Sequence, residues 1–241
     1  MNYIEDFHTK YSWKSLMSYN GVEIVSEANQ IKTEIIKYGC MLLDSKLIVG
    51  TWGNLSARIP NTDYVAITPS GKDYRTLSLE DIAVLNLSGK FIEENFKPSS
   101  ESALHLEIYS ARPNIQAIIH THSIYATACA VAYQAIPPIV EDLVQLVGGG
   151  VAVAEYAICG SDQLAKNAVE ALGENNAVLL ANHGVVGCGT NLHEAKVACE
   201  VVEKSAQIFI CANQFTCGAQ KINDDDVEIM HDFYLNHYRQ R

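Results

Sequence analysis

From Pro113 to Val140 the chain carries no Asp, Glu, Lys or Arg. A run of that length is buried, either in a bilayer or inside a folded domain. Within it stand His120, His122, Asn114, Gln116, Gln134 and the pair Pro137–Pro138. These residues are costly on a helix facing lipid. The run therefore reads as a buried strand, Ile115–His120, followed by a buried apolar helix, Ile124–Tyr133, in a soluble protein with no membrane partner. Hydrophobic residues make up 48 % of the 241 and charged residues 19 %, enough apolar material for a sizeable core.

The remaining punctuation is consistent with an α/β layer. A period of three to four through Ile24, Ala28, Ile31, Ile35, Tyr38 and Leu42 predicts a helix from Val22 to Leu43. Tyr64–Ile67 reads as a strand ending in the turn Thr68-Pro-Ser-Gly71, and Ile82–Leu87 as a strand turning at Ser88-Gly-Lys90 into Phe91–Ile92. Ser99 or Ser100 is expected to cap a helix from Ser102 to Ala111, which stops ahead of Pro113. Strands at Val151–Ala154, at Ala177–Ala181 and up to Cys188 frame a helix that ends at Leu172. Helices follow from Glu194 to Ala212 and from Asp224 onward. The three aspartates at 224–226 suit the positive end of that last helix dipole. Strands often follow strands directly, so the expected sheet is mixed and largely antiparallel rather than a βαβ repeat. One domain over 1–241 is expected, with residues 1–21 as an N-terminal extension.

Composition narrows the partners. Seventeen Lys+Arg against 28 Asp+Glu leave a net charge of −11, unsuited to nucleic acid or an anionic membrane. An anionic substrate would need local donors. Seven cysteines without a C-x-x-C pair, and Glu5, Asp6 and Lys10 in place of a secretory signal, predict reduced thiols and a cytoplasmic location.

Two groups of residues carry chemistry. In His120-Thr-His122 the strand period of two sends both imidazoles to one face, within reach of one ion. His183, in Asn182-His-Gly184, and Glu101, in Pro98-Ser-Ser-Glu101, are candidates for the two further donors of a zinc-like site. His8, His105, His193, His231 and His237 read as ordinary hydrogen-bonded residues. Three short stretches look built for an anion: Gly53-Asn54-Leu-Ser56, Ser70-Gly71 and Ser99-Ser100, with Arg58 and Lys97 as possible added charge. Gly148-Gly-Gly150 reads as a turn.

Taken together, Gly53-Asn54-x-Ser56-x-Arg58, Thr68-Pro-Ser-Gly71, Pro98-Ser-Ser-Glu101, His120-x-His122 and Asn182-His183-Gly184 resemble the class II aldolase/adducin family. The resemblance runs from about residue 25 to 215. It implies a three-layer α/β/α fold with a mixed, largely antiparallel sheet, and a homotetramer with active sites at subunit interfaces. It implies Zn²⁺, or Mn²⁺ or Co²⁺, on His120, His122 and His183. Glu101 would be a further ligand and the acid/base, and Gly53, Asn54, Ser70, Gly71, Ser99 and Ser100 would hold phosphate. The activity implied is cleavage of a ketose 1-phosphate of the fuculose, rhamnulose or 5-deoxypentulose type to dihydroxyacetone phosphate and an aldehyde. Such aldolases carry a cross-subunit tyrosine where this chain has Asp142, a candidate catalytic residue. They also use a C-terminal tyrosine, for which Tyr234 and Tyr238 both qualify. A 4-epimerase or dehydratase on the same scaffold, or a non-catalytic adducin-like module, are the alternatives.

Overall fold

The computed structural model describes residues 21–93 and 96–238. The expected N-terminal extension lies outside the described residues, apart from Gly21, which begins the first helix. The helices are α1 (Gly21–Asp44), α2 (Ser102–Ala111), α3 (Ile124–Val131), α4 (Glu141–Val147), α5 (Asp162–Leu172), α6 (Leu192–Ala212) and α7 (Asp224–Phe233). The strands are β1 (Asn54–Arg58), β2 (Tyr64–Ile67), β3 (Ala83–Asn86), β4 (Phe91–Glu93), β5 (Ala117–Thr121), β6 (Val153–Ala154), β7 (Ala177–Leu180) and β8 (Gly184–Gly189).

The strands form one sheet in the order β4-β3-β2-β1-β5-β8-β7-β6. Among the described strands only β6 and β7 pair parallel; every other pair is antiparallel, as the succession of strands predicts. Alternation along the strands divides the core. Ala117 and Ile119 of β5 pack with α1 and α6, while Ile118 packs with α2 and α5. α3 and α4 cover the β7–β8 end on the α6 side through Ala177, Leu179 and Val185. The result is helices on both faces of the sheet, the expected three layers. No described helix is long and apolar enough to cross a membrane.

Three local details add to or differ from the sequence reading. Asn54–Arg58, assigned no element from the sequence, is a central strand clamped between β2 and β5. Glu141–Val147 forms a full short helix, closed by Gly148 at φ 101, a left-handed conformation that favours glycine. The N-cap of α2 is Glu101, not a serine, and its side chain makes no capping bond. Ser99 instead accepts the Glu101 N–H on its Oγ at 3.2 Å, and the Glu101 carboxylate is free to point elsewhere.

Candidate active site

The site forms where β1, β5 and the β7–β8 turn meet the start of α2. β1 and β5 pair so that Asn54 lies opposite His120. His120 is fully buried, and its Nδ1 donates to the Val185 carbonyl at 3.0 Å across the β5–β8 ladder. Its Nε2 is therefore bare and faces His122 Nε2 at 2.9 Å. His183 enters from the turn joining β7 to β8, where Asn182 takes a positive φ of 54. One ligand nitrogen from each of the three rings lies within 4.8 Å of the others. Gly184 permits this approach. A Cβ there would sit 2.4 Å from the Thr121 carbonyl oxygen and 2.9 Å from the His122 ring.

Glu101 closes the arrangement. Its Oε2 lies 3.3 Å from His120 Nε2 and its Oε1 3.4 Å from His183 Nε2. Burial alone would raise the Glu101 carboxyl; the His120 and His183 rings and the Asn54 amide outweigh it and hold it ionised. Burial pushes His120 down to about 3, so its ring is a neutral imidazole, the form that ligates a metal. Oε1 of Glu101 is buried without a hydrogen-bond partner. Three converging imidazoles beside a buried carboxylate, one of whose oxygens has no hydrogen-bond partner, are a donor set that a divalent ion satisfies.

All six anion candidates line a single cleft of about 410 Å³, together with Glu101, His122 and His183. Backbone bonds draw its serine segments together: Ser70 N–H donates to the Lys97 carbonyl at 2.9 Å and Ser99 N–H to the Thr68 carbonyl at 3.0 Å. The expected cationic help is not there. Arg58 donates to the Ile115 and Tyr109 carbonyls and stacks on the Tyr109 ring, at the opposite end of β1 from Asn54. Among the described lining residues there is no Lys or Arg, so an anion here meets N–H groups and hydroxyls.

Sequence reasoning missed Cys159 and Trp52, which line the same cleft. The Cys159 thiol, pushed up to about 11 by burial and then by Glu101, stays protonated. Gly160, at φ 77, lets this segment press against the Ser100 carbonyl, 2.7 Å from where a Cβ would be. Nothing in the local sequence signals either residue. Asp142 sits in the first turn of α4, half exposed and paired with Lys204, and does not line this cleft. Tyr234 and Tyr238 do not line it either. His105, read as an ordinary histidine, is fully buried, and its Nε2 lies 2.5 Å from Asn54 Oδ1.

Residues 33–210 match the family described as class II aldolase and adducin N-terminal domain. A 5-deoxy-D-ribulose 1-phosphate aldolase from Bacillus thuringiensis serovar kurstaki is 40 % identical over 179 residues, 74 % of this chain and 83 % of that protein. An L-fuculose phosphate aldolase from Methanococcus maripaludis is 38 % identical over 176 residues, 73 % of this chain and 94 % of that protein. A solved L-fuculose 1-phosphate aldolase superposes with a TM-score of 0.83 at 38 % identity, covering 86 % of this chain and 96 % of its own.

Proposed function

This chain belongs to the class II aldolase and adducin family, and from that premise we propose that it is a metal-dependent aldolase that splits a ketose 1-phosphate into dihydroxyacetone phosphate and an aldehyde. The observation that carries the reading is the mutual convergence of three imidazoles beside Glu101, whose Oε1 is buried without a hydrogen-bond partner, next to a cleft lined by hydroxyls and glycines. The relatives named for 5-deoxy-D-ribulose 1-phosphate and L-fuculose phosphate support the substrate class. His120, His122 and His183 would hold the ion, Zn²⁺ with Mn²⁺ or Co²⁺ as substitutes, and Glu101 would be the further ligand. When bound, it supplies Lewis-acid polarisation of the sugar's carbonyl and hydroxyl oxygens.

The chain's own residues do the rest. Gly53, Asn54, Ser70, Gly71, Ser99 and Ser100 grip the phosphate through N–H groups and hydroxyls, which fixes the sugar's register and contributes binding energy remote from the reacting bond. Cleavage of C3–C4 leaves electron density on C3 of the phosphorylated three-carbon fragment. Glu101, through its unpartnered Oε1, takes up a proton from solvent and delivers it to that carbon, while the proton lost by the C4 hydroxyl returns to solvent, so that one proton is added and one removed. Asp142, reaching a neighbouring subunit's cleft in a homotetramer, takes the C4 hydroxyl proton. A carboxylate at that place, where fuculose-type aldolases carry tyrosine, keeps a 4-epimerase as the second reading. The reading also takes the chain as one domain acting in the cytoplasm.

The test is a panel of fuculose, rhamnulose, ribulose and 5-deoxypentulose 1-phosphates with dihydroxyacetone phosphate detected. Turnover of at least one, lost with chelator and restored by Zn²⁺, Mn²⁺ or Co²⁺, is expected. Full activity in demonstrably metal-free protein would sink the metal assignment, and inversion of a ketose phosphate without free triose would favour the epimerase.

A further inference from the structure

A file of buried side chains, of which the proposed reaction uses only Asn54, stands behind Glu101. Asn54 Nδ2 lies 2.7 Å from Glu101 Oε2, and Asn54 Oδ1 lies 2.5 Å from His105 Nε2. His105 Nδ1 lies 2.6 Å from Ser56 Oγ, which lies 2.9 Å from the Tyr109 hydroxyl. Asn54 is 4 % exposed, and Ser56, His105 and Tyr109 are 0 % exposed, so water does not complete any of these bonds.

Two periodicities make the file. Glu101, His105 and Tyr109 are four apart, one above the other on a single face at the start and along the length of α2. Asn54 and Ser56 are two apart on one face of β1. Four helical residues rise about 6 Å and two strand residues about 6.6 Å. The two ladders therefore interdigitate, with each strand side chain seated between two helix side chains.

The protons in this file have one consistent arrangement. The Glu101 carboxylate is an acceptor only, so Asn54 presents its NH₂ there and its Oδ1 to His105. His105 Nε2 must then carry the proton. With neutral partners on both sides and no solvent, the ring is neutral, so Nδ1 accepts from Ser56, and Ser56 in turn accepts from Tyr109. Reversing the file would set Asn54 Oδ1 against a carboxylate oxygen at hydrogen-bond distance in a dry interior. The charge on Glu101 selects the direction, and the buried ring transmits it.

We propose that His105 is a positioning residue: its Nε2–H locks the Asn54 amide with Nδ2 toward Glu101, which pins Oε2 and leaves Oε1 as the oxygen that carries the proton. The proton's destination rests on the aldolase reading; the direction of the file does not. The lock also holds Asn54 in the phosphate set, so one histidine couples the phosphate grip to the acid/base.

The experiment compares wild type, His105→Leu, His105→Gln and Ser56→Ala as metal-loaded full-length protein, reading kcat, KM, Tm and the His105 tautomer by ¹⁵N NMR. Wild type is expected to show Nε2–H and a bare Nδ1. His105→Leu should lower kcat by about 10- to 100-fold, the scale of a displaced catalytic group. His105→Gln, whose terminal amide places an N–H near the Nε2 position, should recover most of that loss at a Tm matching the leucine variant. An Nδ1–H tautomer in wild type, or equal kcat in the leucine and glutamine variants, overturns the proposal. Should His105→Leu fail to fold, Ser56→Ala decides. It removes the donor to Nδ1 while keeping the ring and its Asn54 contact, so the Nε2–H tautomer should persist with kcat within severalfold of wild type; an Nδ1–H tautomer in this variant would show that Ser56, not Glu101 through Asn54, sets the direction, and would overturn the proposal. Wild-type protein with no aldolase activity would fail the functional reading alone, since the tautomer is measured without substrate.

Discussion

Gly184→Ala tests whether close backbone approach is what assembles the three imidazoles. The added Cβ would lie 2.4 Å from the Thr121 carbonyl oxygen, 2.9 Å from His122 Cδ2 and 3.1 Å from His120 Cε1. Ordinary contact begins at 3.4 Å, so the first strain falls on backbone, which cannot swing aside as a flexible side chain can. The first residue of β8 must move off the end of β5 by about 1 Å, and His183, its chain neighbour, moves with it. Overpacking of this kind costs about 1–3 kcal/mol. Metal ligands tolerate displacements of only about 0.2 Å. Divalent-ion affinity should therefore fall by about 10- to 100-fold, the scale seen when the support of a ligand is lost. Competition against a chromophoric chelator measures the affinity, and thermal unfolding the stability. Gly173→Ala is the control: its φ of 52 strains an alanine too, but nothing lies within 4 Å of the new Cβ, so stability should drop with metal affinity unchanged. A Gly184→Ala protein that binds metal as tightly as wild type, or no worse than the control, would refute the reasoning.

Glu101→Gln should cost about 10²–10⁴ in kcat, the typical contribution of a positioned acid/base, with the fold intact by circular dichroism; near-wild-type turnover would move the acid/base elsewhere. Asp142→Asn should slow release of free aldehyde without changing metal content, and an unaltered rate would return Asp142 to a surface partner of Lys204. Burial holds His105 down to about 4, whereas an unfolded chain titrates it near ~6.5. The unfolded state thus binds an extra proton in that window, and stability falls as pH drops through it, by about 3 kcal/mol at the lower end. Urea unfolding at pH 7 and pH 4.5 should show this loss, with the histidine's share absent in His105→Gln; the same pH slope in both proteins would assign it to other groups.

The features legible in the sequence are those set by local periodicity and local backbone chemistry. The H-x-H pair shares a face because a strand repeats every two residues, whatever surrounds it. α1, α2, α5 and the largely antiparallel succession of strands followed from apolar spacing, caps and turns, and the family motifs named the residues that the fold brings to one cleft. Tertiary structure decided the rest. β1 alternates polar Asn54, Ser56 and Arg58 with apolar Leu55 and Ala57, yet both of its faces are covered, so the polar set is buried against α2 rather than facing water, and its ladder comes from β2 and β5. Arg58 looked like a cation for an anion site, yet the carbonyls of Ile115 and Tyr109 hold it away from the cleft. Cys159 reaches the site only because Gly160 lets a distant segment touch Ser100. His105 shows the boundary most clearly. The spacing of Glu101, His105 and Tyr109, and of Asn54 and Ser56, is written in the chain, but each set is an unremarkable polar pattern alone. Their meaning arises when a helix rising about 6 Å per four residues is laid against a strand rising about 6.6 Å per two, and that juxtaposition belongs to the packed layers, not to either segment.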